Sequence, residues 1–427
     1  MPQEKIRIAI IGAGIGGLTL STALKAMGMD QKLEINIYEA SSQVSEIGAG
    51  IGFWPRGWDI FKTLGLEESL LKIVPRPPND NLYTVFHVRK ADQSEGAYVR
   101  DIQSIGGIAT MHRADLQNVL VKHSNSRIHL SHRLVSFDEG DEIYLHFENG
   151  TIATCDFLVG MDGIKSVVRR FLLLNRGLVN SPSLYPVCSG YMTYRALIPA
   201  EALRKTFPGH RALTNQMLHV ITFPVAQNTL INFAAIITDL STVGTSYDGP
   251  TTVPCSHEEI ESLFTEWEDE VKAMIGLIEK PTRWVIRTLM PMDKYASGRV
   301  VIGGDAAHAM TPFLGNGAGR AVEDAYILAS LLSEGLYSKD ALVKIAEIYS
   351  NICCPAGNDL IEKSMRAGRI LQMVAPDFKD AEEGDAIIPP ENLVEFFEQY
   401  DKGLDMFGKG RAEKDRNRAL EKLRSSQ

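Results

Sequence analysis

The chain has 427 residues, with 44 Lys+Arg against 53 Asp+Glu for a net charge of −9, and is 44% hydrophobic and 23% charged. These proportions exclude a fibrous, low-complexity or disordered chain, and the length suffices for a large core and two or so domains. An acidic balance without a Lys/Arg block argues against nucleic acid, or an anionic membrane surface, as the main partner.

The first forty residues change period in an informative order. Residues 6–11 form a short β-branched run ended by Gly12, with strand character. Leu18, Leu20, Ala23, Leu24 and Met27 then recur at helical spacing up to Gly28, a suitable helix stop. Residues 33–38 alternate and lead into Glu39. The stretch from Ile6 to Met29 imitates a signal peptide or membrane span, but five glycines and Lys25 interrupt it. The polar C-terminus from Arg411 to Gln427 shows no tail anchor or peroxisomal signal, so a cytoplasmic protein without a membrane span is expected.

Further along, 113–123 reads as helix, and 128–137, 144–147 and 151–159 as strands, the last closed by Gly160-Met161-Asp162-Gly163. From Pro186 to about Thr238 the chain turns β-rich, with strands predicted over 190–198, 217–223 and 230–237. Residues 257–278 return to helix, 300–303 form a buried-type strand, and 317–332 an apolar helix. Two more helices are predicted over 341–349 and 357–373, followed by an acidic, proline-bounded linker over 376–390. Five cysteines (Cys155, Cys188, Cys255, Cys353, Cys354) lack CxxC or Cys/His spacing, so neither a disulfide framework nor a metal site is expected. The fold class is α/β, with nucleotide-type segments at both ends of a β-rich insert.

Three motifs carry the chemistry. Gly12-Ala13-Gly14-Ile15-Gly16-Gly17 matches GxGxxG, with Glu39 roughly 20 residues further on. Such glycines permit a tight turn, close approach of a pyrophosphate and helix–strand packing, while the acid accepts from a ribose hydroxyl. This motif alone does not distinguish NAD from FAD. The second runs from Cys155 to Arg169 and contains Asp162-Gly163; the third runs from Gly298 through Gly304-Asp305 to His308, followed by Pro312, Gly315, Gly317 and Glu323-Asp324-Ala325.

In this order the three motifs resemble those of the single-component FAD-dependent aromatic hydroxylases, the para-hydroxybenzoate hydroxylase class, and most closely its salicylate hydroxylase-like branch. The resemblance covers residues 6 to about 335. It implies a Rossmann-like FAD-binding domain in two parts (1–180 and 281–370), an inserted β-sheet substrate domain (181–280) and a helical C-terminal tail (371–427). It also implies NADH or NADPH as a transient reductant, and hydroxylation of a phenolic or aromatic acid by O2 through a flavin C4a-hydroperoxide, in a monomer or homodimer. Gly12, Gly14, Gly17, Glu39, Arg113, Asp162, Asp305, Pro312, Gly315, Gly317 and Ala318 are then the FAD contacts. Asp305 stands where a carboxylate would accept from ribityl hydroxyls. Free N–H groups at Gly317 and Ala318 would face the flavin edge and favour its reduced anion. Asp162 also reads as a loop scaffold, and Arg169 as a packing residue with an ion-pair partner.

On the substrate side, attack on an aromatic ring is helped by a base or by a cation that stabilises a phenolate. His219 is the candidate base and Arg195 the candidate anion partner; His308 is read as positional, and Met217, Phe223, Phe313 and Leu314 as pocket or core apolars. Three departures from the family pattern stand out: Pro55-Arg56 where Pro-Asn is common, Cys353-Cys354 in place of an arginine-rich stretch, and Phe223 where tyrosine is frequent. Alternatives are an epoxidase or hydroxylase of a larger prenylated or alkaloid scaffold, and a non-enzymatic prenyl-protein binding module on the same fold. A flavin-dependent halogenase is disfavoured because Trp54-Pro55-Arg56-Gly57-Trp58 does not match WxWxIP.

Overall fold

A computed structural model of the protein describes residues 5–44, 50–124, 126–213, 220–336, 338–374, 398, 400, 404–408 and 411–425. Its central layer is a six-stranded sheet in the order Ala296–Ser297, Val300–Ile302, Phe157–Gly160, Ile6–Ile11, Leu33–Tyr38, Arg127–His129. Ile6–Ile11 lies in the middle and runs parallel to both neighbours, pairing Ile10 with Ile37 and with Val159. Central parallel strands are covered on both faces, which is why they read as continuous apolar runs. The helix Ile15–Ala26 is buried over its first ten residues against this sheet and the helix Gly317–Gly335. The βαβ unit expected from the sequence is therefore present.

The second layer is a five-stranded antiparallel sheet in the order Val220–Val225, Leu230–Thr238, Val187–Pro199, Thr282–Thr288, Thr252–Pro254. Alternation on Val187–Pro199 sorts its side chains. Tyr194 and Ile198 join Leu203, Ile260, Phe264 and Val271 on one face, while Tyr191 on the other packs with Ile236, Phe313 and Leu314. This second face meets the first layer. The Gly50 N–H donates to Asn232 Oδ1 at 3.1 Å, and a Cβ at Gly50 would lie 2.5 Å from the Phe223 ring.

Several predicted elements differ. The predicted strand 151–159 is two strands, Ile152–Cys155 in a separate three-stranded sheet and Phe157–Gly160 in the central one. Asp156 at the break is fully buried and accepts from the Arg7 backbone N–H (2.9 Å), the Arg7 guanidinium (2.8 Å) and Lys339 (2.8 Å). The predicted strand 128–137 is likewise interrupted, at Ser131, whose φ of 57° is left-handed. The predicted helix 257–278 is two, His257–Ser262 and Asp269–Ile275, because Glu268 between them turns inward to Arg89 at 2.7 Å. Conversely, the helices predicted over 341–349 and 357–373 are one, Ala341–Leu371, continuous through Pro355. Burial of Ile352, Cys353, Cys354 and Gly357 holds that helix across the proline. The hairpin Leu82–Lys90 with Ala97–Ile105, and the pair Gly50–Phe53 with Ala109–His112, were not anticipated. The linker read over 376–390 lies outside the described residues.

The Asp156 cluster makes a pH prediction. Its two cations hold the carboxyl down at about 2, although burial opposes them. A depressed folded pKa stabilises above the unfolded value near 4 and is lost as pH falls through about 2. Asp156→Asn should therefore lower stability by about 2 kcal/mol at pH 7, with the difference closing between about pH 4 and pH 2. Urea unfolding of both proteins across that range checks it.

Candidate functional site

The glycine loop follows the first strand and opens the helix Ile15–Ala26, whose N-cap Gly14 has no side-chain cap. Each glycine answers to a different constraint. Gly12 has φ +105°, and a Cβ there would sit 2.3 Å from the Met161 carbonyl oxygen; at Gly17 it would sit 2.1 Å from the Gly12 carbonyl oxygen. At Gly14 it would meet nothing within 4 Å. The loop is thus packed from behind and open in front, at a helix N-terminus with unpaired N–H groups, where an anion is favoured. Glu39 stands beside it, Oε2 accepting from the Ala13 N–H and Oε1 from the Ser41 N–H, both at 2.8 Å.

Asp162 is engaged by its own motif. Its oxygens accept from Ser166 Oγ (2.5 Å), the Val167 N–H (2.7 Å) and the Val168 N–H (3.2 Å), tying the carboxylate to the start of the helix Val167–Asn175. Arg169 corrects the sequence reading. It is buried, makes no ion pair within 4 Å among the described residues, and donates to three carbonyls, those of Ser183 (3.0 Å), Ala306 (3.0 Å) and Ile164 (2.8 Å). Burial lowers its pKa to about 10. Through Ala306 it joins the second motif to the third.

Asp305 begins the short helix Asp305–His308; its side chain is exposed and makes no hydrogen bond or ion pair among the described residues. His308 is buried, with Nε2 2.5 Å from Asp324 Oδ2. The loop that follows runs through a single turn, Pro312–Leu314, to Gly315 in the left-handed region and then to the helix Gly317–Gly335. That helix also lacks a side-chain cap, and a Cβ at Gly317 would meet nothing within 4 Å. Pro312 and Gly315 are exposed, Gly317 and Ala318 half-buried. The loop is held from behind: the Trp54 indole N–H donates to the Leu314 carbonyl (3.1 Å) and the Tyr400 hydroxyl to the Phe313 carbonyl (2.9 Å). Reading the sequence missed both anchors; Tyr400 lies in the tail, where no motif marks it.

One arginine of interest lies on each layer. Arg113 opens the helix Arg113–Ser124, and Arg195 lies on the sheet face that meets the first layer, its guanidinium 5.2 Å from the Trp284 ring centre. Burial, then the like charge of Arg113, pull the Arg195 pKa below its ordinary value. His219 and Met217 lie outside the described residues. Among those described, no cluster of His, Cys, Asp and Glu could hold a metal, and no helix is long and apolar enough to cross a membrane.

Two open, uncapped helix N-termini, an acid after the second strand and a free carboxylate before a glycine-bearing loop fit a dinucleotide with a second aromatic end. That architecture fits a flavin-dependent oxidoreductase. Residues 5–364 match the family described as an FAD binding domain. The chain is 32% identical over 386 residues to salicylate hydroxylase of Pseudomonas putida, covering 87% of each protein. It is also 32% identical over 368 residues to 6-methylsalicylate 1-monooxygenase of Aspergillus terreus, covering 82% of this chain and 79% of that one. A solved salicylate hydroxylase–substrate complex superposes with a TM-score of 0.81 at 24% identity, over 97% of this chain and 98% of that one. The chain belongs to the FAD-binding family of single-component, FAD-dependent aromatic monooxygenases, on its salicylate hydroxylase-like side.

Proposed function

We propose that the protein hydroxylates a phenolic or carboxylated aromatic ring, with NADH or NADPH as reductant and O2 as oxygen donor. The observation that carries the substrate class is Arg195, a half-buried cation on the sheet face that meets the first layer, against the Trp284 ring and with no carboxylate paired to it among the described residues. The division expected from the sequence is part of this reading: the six-stranded layer holds FAD, and the five-stranded sheet covers the substrate. One strand of that sheet, Thr282–Thr288, lies wholly beyond residue 280.

In this reading Gly12, Gly14 and Gly17 shape the pyrophosphate cradle and Glu39 accepts from ribose. Asp305 accepts from the ribityl chain. Asp162 fixes the backbone of the second motif beside the cofactor, and Arg113 lies near it. Bound FAD supplies the redox chemistry and the activation of O2. The loop Pro312, Gly315, Gly317 and Ala318 presents N–H groups at a positive helix end, which would stabilise negative charge on a bound, reduced cofactor. Arg195 holds the substrate anion, and His219 takes the proton from a phenol. The apolar face around Tyr191, Ile236 and Phe313 excludes water from the reacting ring. The setting is cytoplasmic, and the assembly a monomer or homodimer.

The test is oxidation of NADH and NADPH by the FAD-loaded protein across a panel of phenols and aromatic acids, with products identified by mass. Stimulated oxidation with a product gaining one oxygen atom, with or without loss of CO2, supports the proposal. Oxidation with every oxygen equivalent recovered as H2O2 across the panel refutes it. Arg195→Gln should raise KM for an aromatic acid by about 50-fold while changing kcat less, and leave an uncharged phenol nearly unaffected.

A further inference from the structure

The geometry points to the C-terminal helix Arg411–Arg424 as a working part of the flavin site, with Arg56 and Asp415 as the positioning residues that couple it to the third motif. Arg56, the departure from Pro-Asn, is buried and bridges two carboxylates: Glu323 at 2.6 Å and Asp415 at 2.6 Å. Glu323 continues to Arg320 (2.9 Å), Arg320 to Asp324 (2.6 Å), and Asp324 to His308 (2.5 Å) and the Gly304 N–H (3.0 Å). An unbroken file of charged groups therefore runs from a surface helix to the backbone on which Asp305 stands. Every inner member is nearly inaccessible to solvent.

Residues of the tail that precede the helix reach the loop by a second route. Phe407 stacks on Trp54 with ring centres 5.6 Å apart, and Trp54 and Tyr400 each donate to a carbonyl of the Phe313–Leu314 pair. Tyr326, on the helix that opens at Gly317, donates to Glu413 of the C-terminal helix at 2.5 Å. Buried charge pairs have few alternative geometries, because each misplacement leaves a charge without its partner. Docking of the helix, together with Tyr400 and Phe407 before it, thus fixes both Gly304-Asp305 and the loop up to Gly317. The helix lies beyond the residues that match the FAD-binding family.

This inference rests on those segments holding FAD, and the experiment separates the two. FAD dissociation constants are measured by flavin fluorescence for the wild type, Asp415→Asn, Tyr400→Phe, Arg56→Met and Arg56→Lys, each shown folded by circular dichroism. Hydrogen exchange of residues 411–424 is followed with and without FAD. Asp415→Asn and Arg56→Met should weaken FAD binding about ten-fold, Arg56→Lys should recover most of it, and FAD should slow exchange in the helix, since coupling is reciprocal. Unchanged FAD affinity in Asp415→Asn and Tyr400→Phe, with only a lower unfolding midpoint, would overturn the inference and leave the helix as scaffold. If Arg56→Met does not fold, those two variants decide. A wild type that binds no FAD would instead overturn the FAD assignment of these segments.

Discussion

Gly17→Ala is expected to yield a chain that retains no FAD and unfolds about 3 kcal/mol more easily than the wild type. The added methyl would stand 2.1 Å from the Gly12 carbonyl oxygen and 3.1 Å from Ile10 Cγ2. The first of these is backbone within the loop itself and cannot swing aside. The helix Ile15–Ala26 must then lift from the central strand, exposing part of a face on which ten successive residues are buried. Gly14→Ala provides the contrast. Nothing lies within 4 Å of its methyl, so denaturant stability of the FAD-free protein should be unchanged. FAD affinity should nonetheless fall about 100-fold, because the methyl occupies the space through which a phosphate approaches the N–H groups. Urea titration and FAD binding measured on both variants separate the two kinds of glycine.

Arg320→Met should cost about 3–5 kcal/mol at pH 7, by the general cost of stripping a buried carboxylate of its cation. Arg320 donates to two carboxylates: Asp324 Oδ1 accepts from both Nε (2.9 Å) and Nη2 (2.6 Å), and Glu323 from Nη1 (2.9 Å). In the wild type Arg320 foremost, with His308 and the Gly304 N–H, holds Asp324 down at about 2 despite complete burial. Without Arg320, burial prevails and the carboxyl titrates above its unfolded value. A group raised in this way gains stability on protonation, so the deficit should narrow as pH falls from 7 towards about 4. A deficit of constant size over that range would mean that lost packing, and not the stranded charge, is the cause.

How much of this was legible in the sequence varies with the range of the determining contact. The βαβ unit could be read because its period changes, its glycines and Glu39 are all local. Splitting of 151–159 into two strands could not, since what breaks the run is Asp156 meeting Arg7 and Lys339 from distant parts of the chain. The same holds for Glu268, which stands immediately before the second of the two helices and reaches Arg89 from a distant part of the chain. Pro355 misled in the other direction: a local helix breaker was overridden by burial on both sides of it. At the site, the motif residues were found by pattern, whereas Trp54 and Tyr400 act on the loop through carbonyls that no pattern records. Arg56 was visible only as a departure from the family. Its two carboxylate partners explain why an arginine stands there.

The central sheet has a consequence for how the chain is made. Its strand from Val300–Ile302 pairs in parallel with Phe157–Gly160, which pairs with Ile6–Ile11. A ribosome delivers the first two strands long before the third, and the whole five-stranded sheet emerges in between. The nascent N-terminal half therefore carries an open parallel edge at Phe157–Gly160 until some 140 further residues have been added, a wait of roughly 7–30 s at ordinary elongation rates. Non-local pairing of this kind is slow and leaves strand edges available to other chains. Expression that slows elongation or lowers chaperone capacity should accordingly reduce the soluble yield of this protein more than that of a chain of equal length whose sheets close in sequence order.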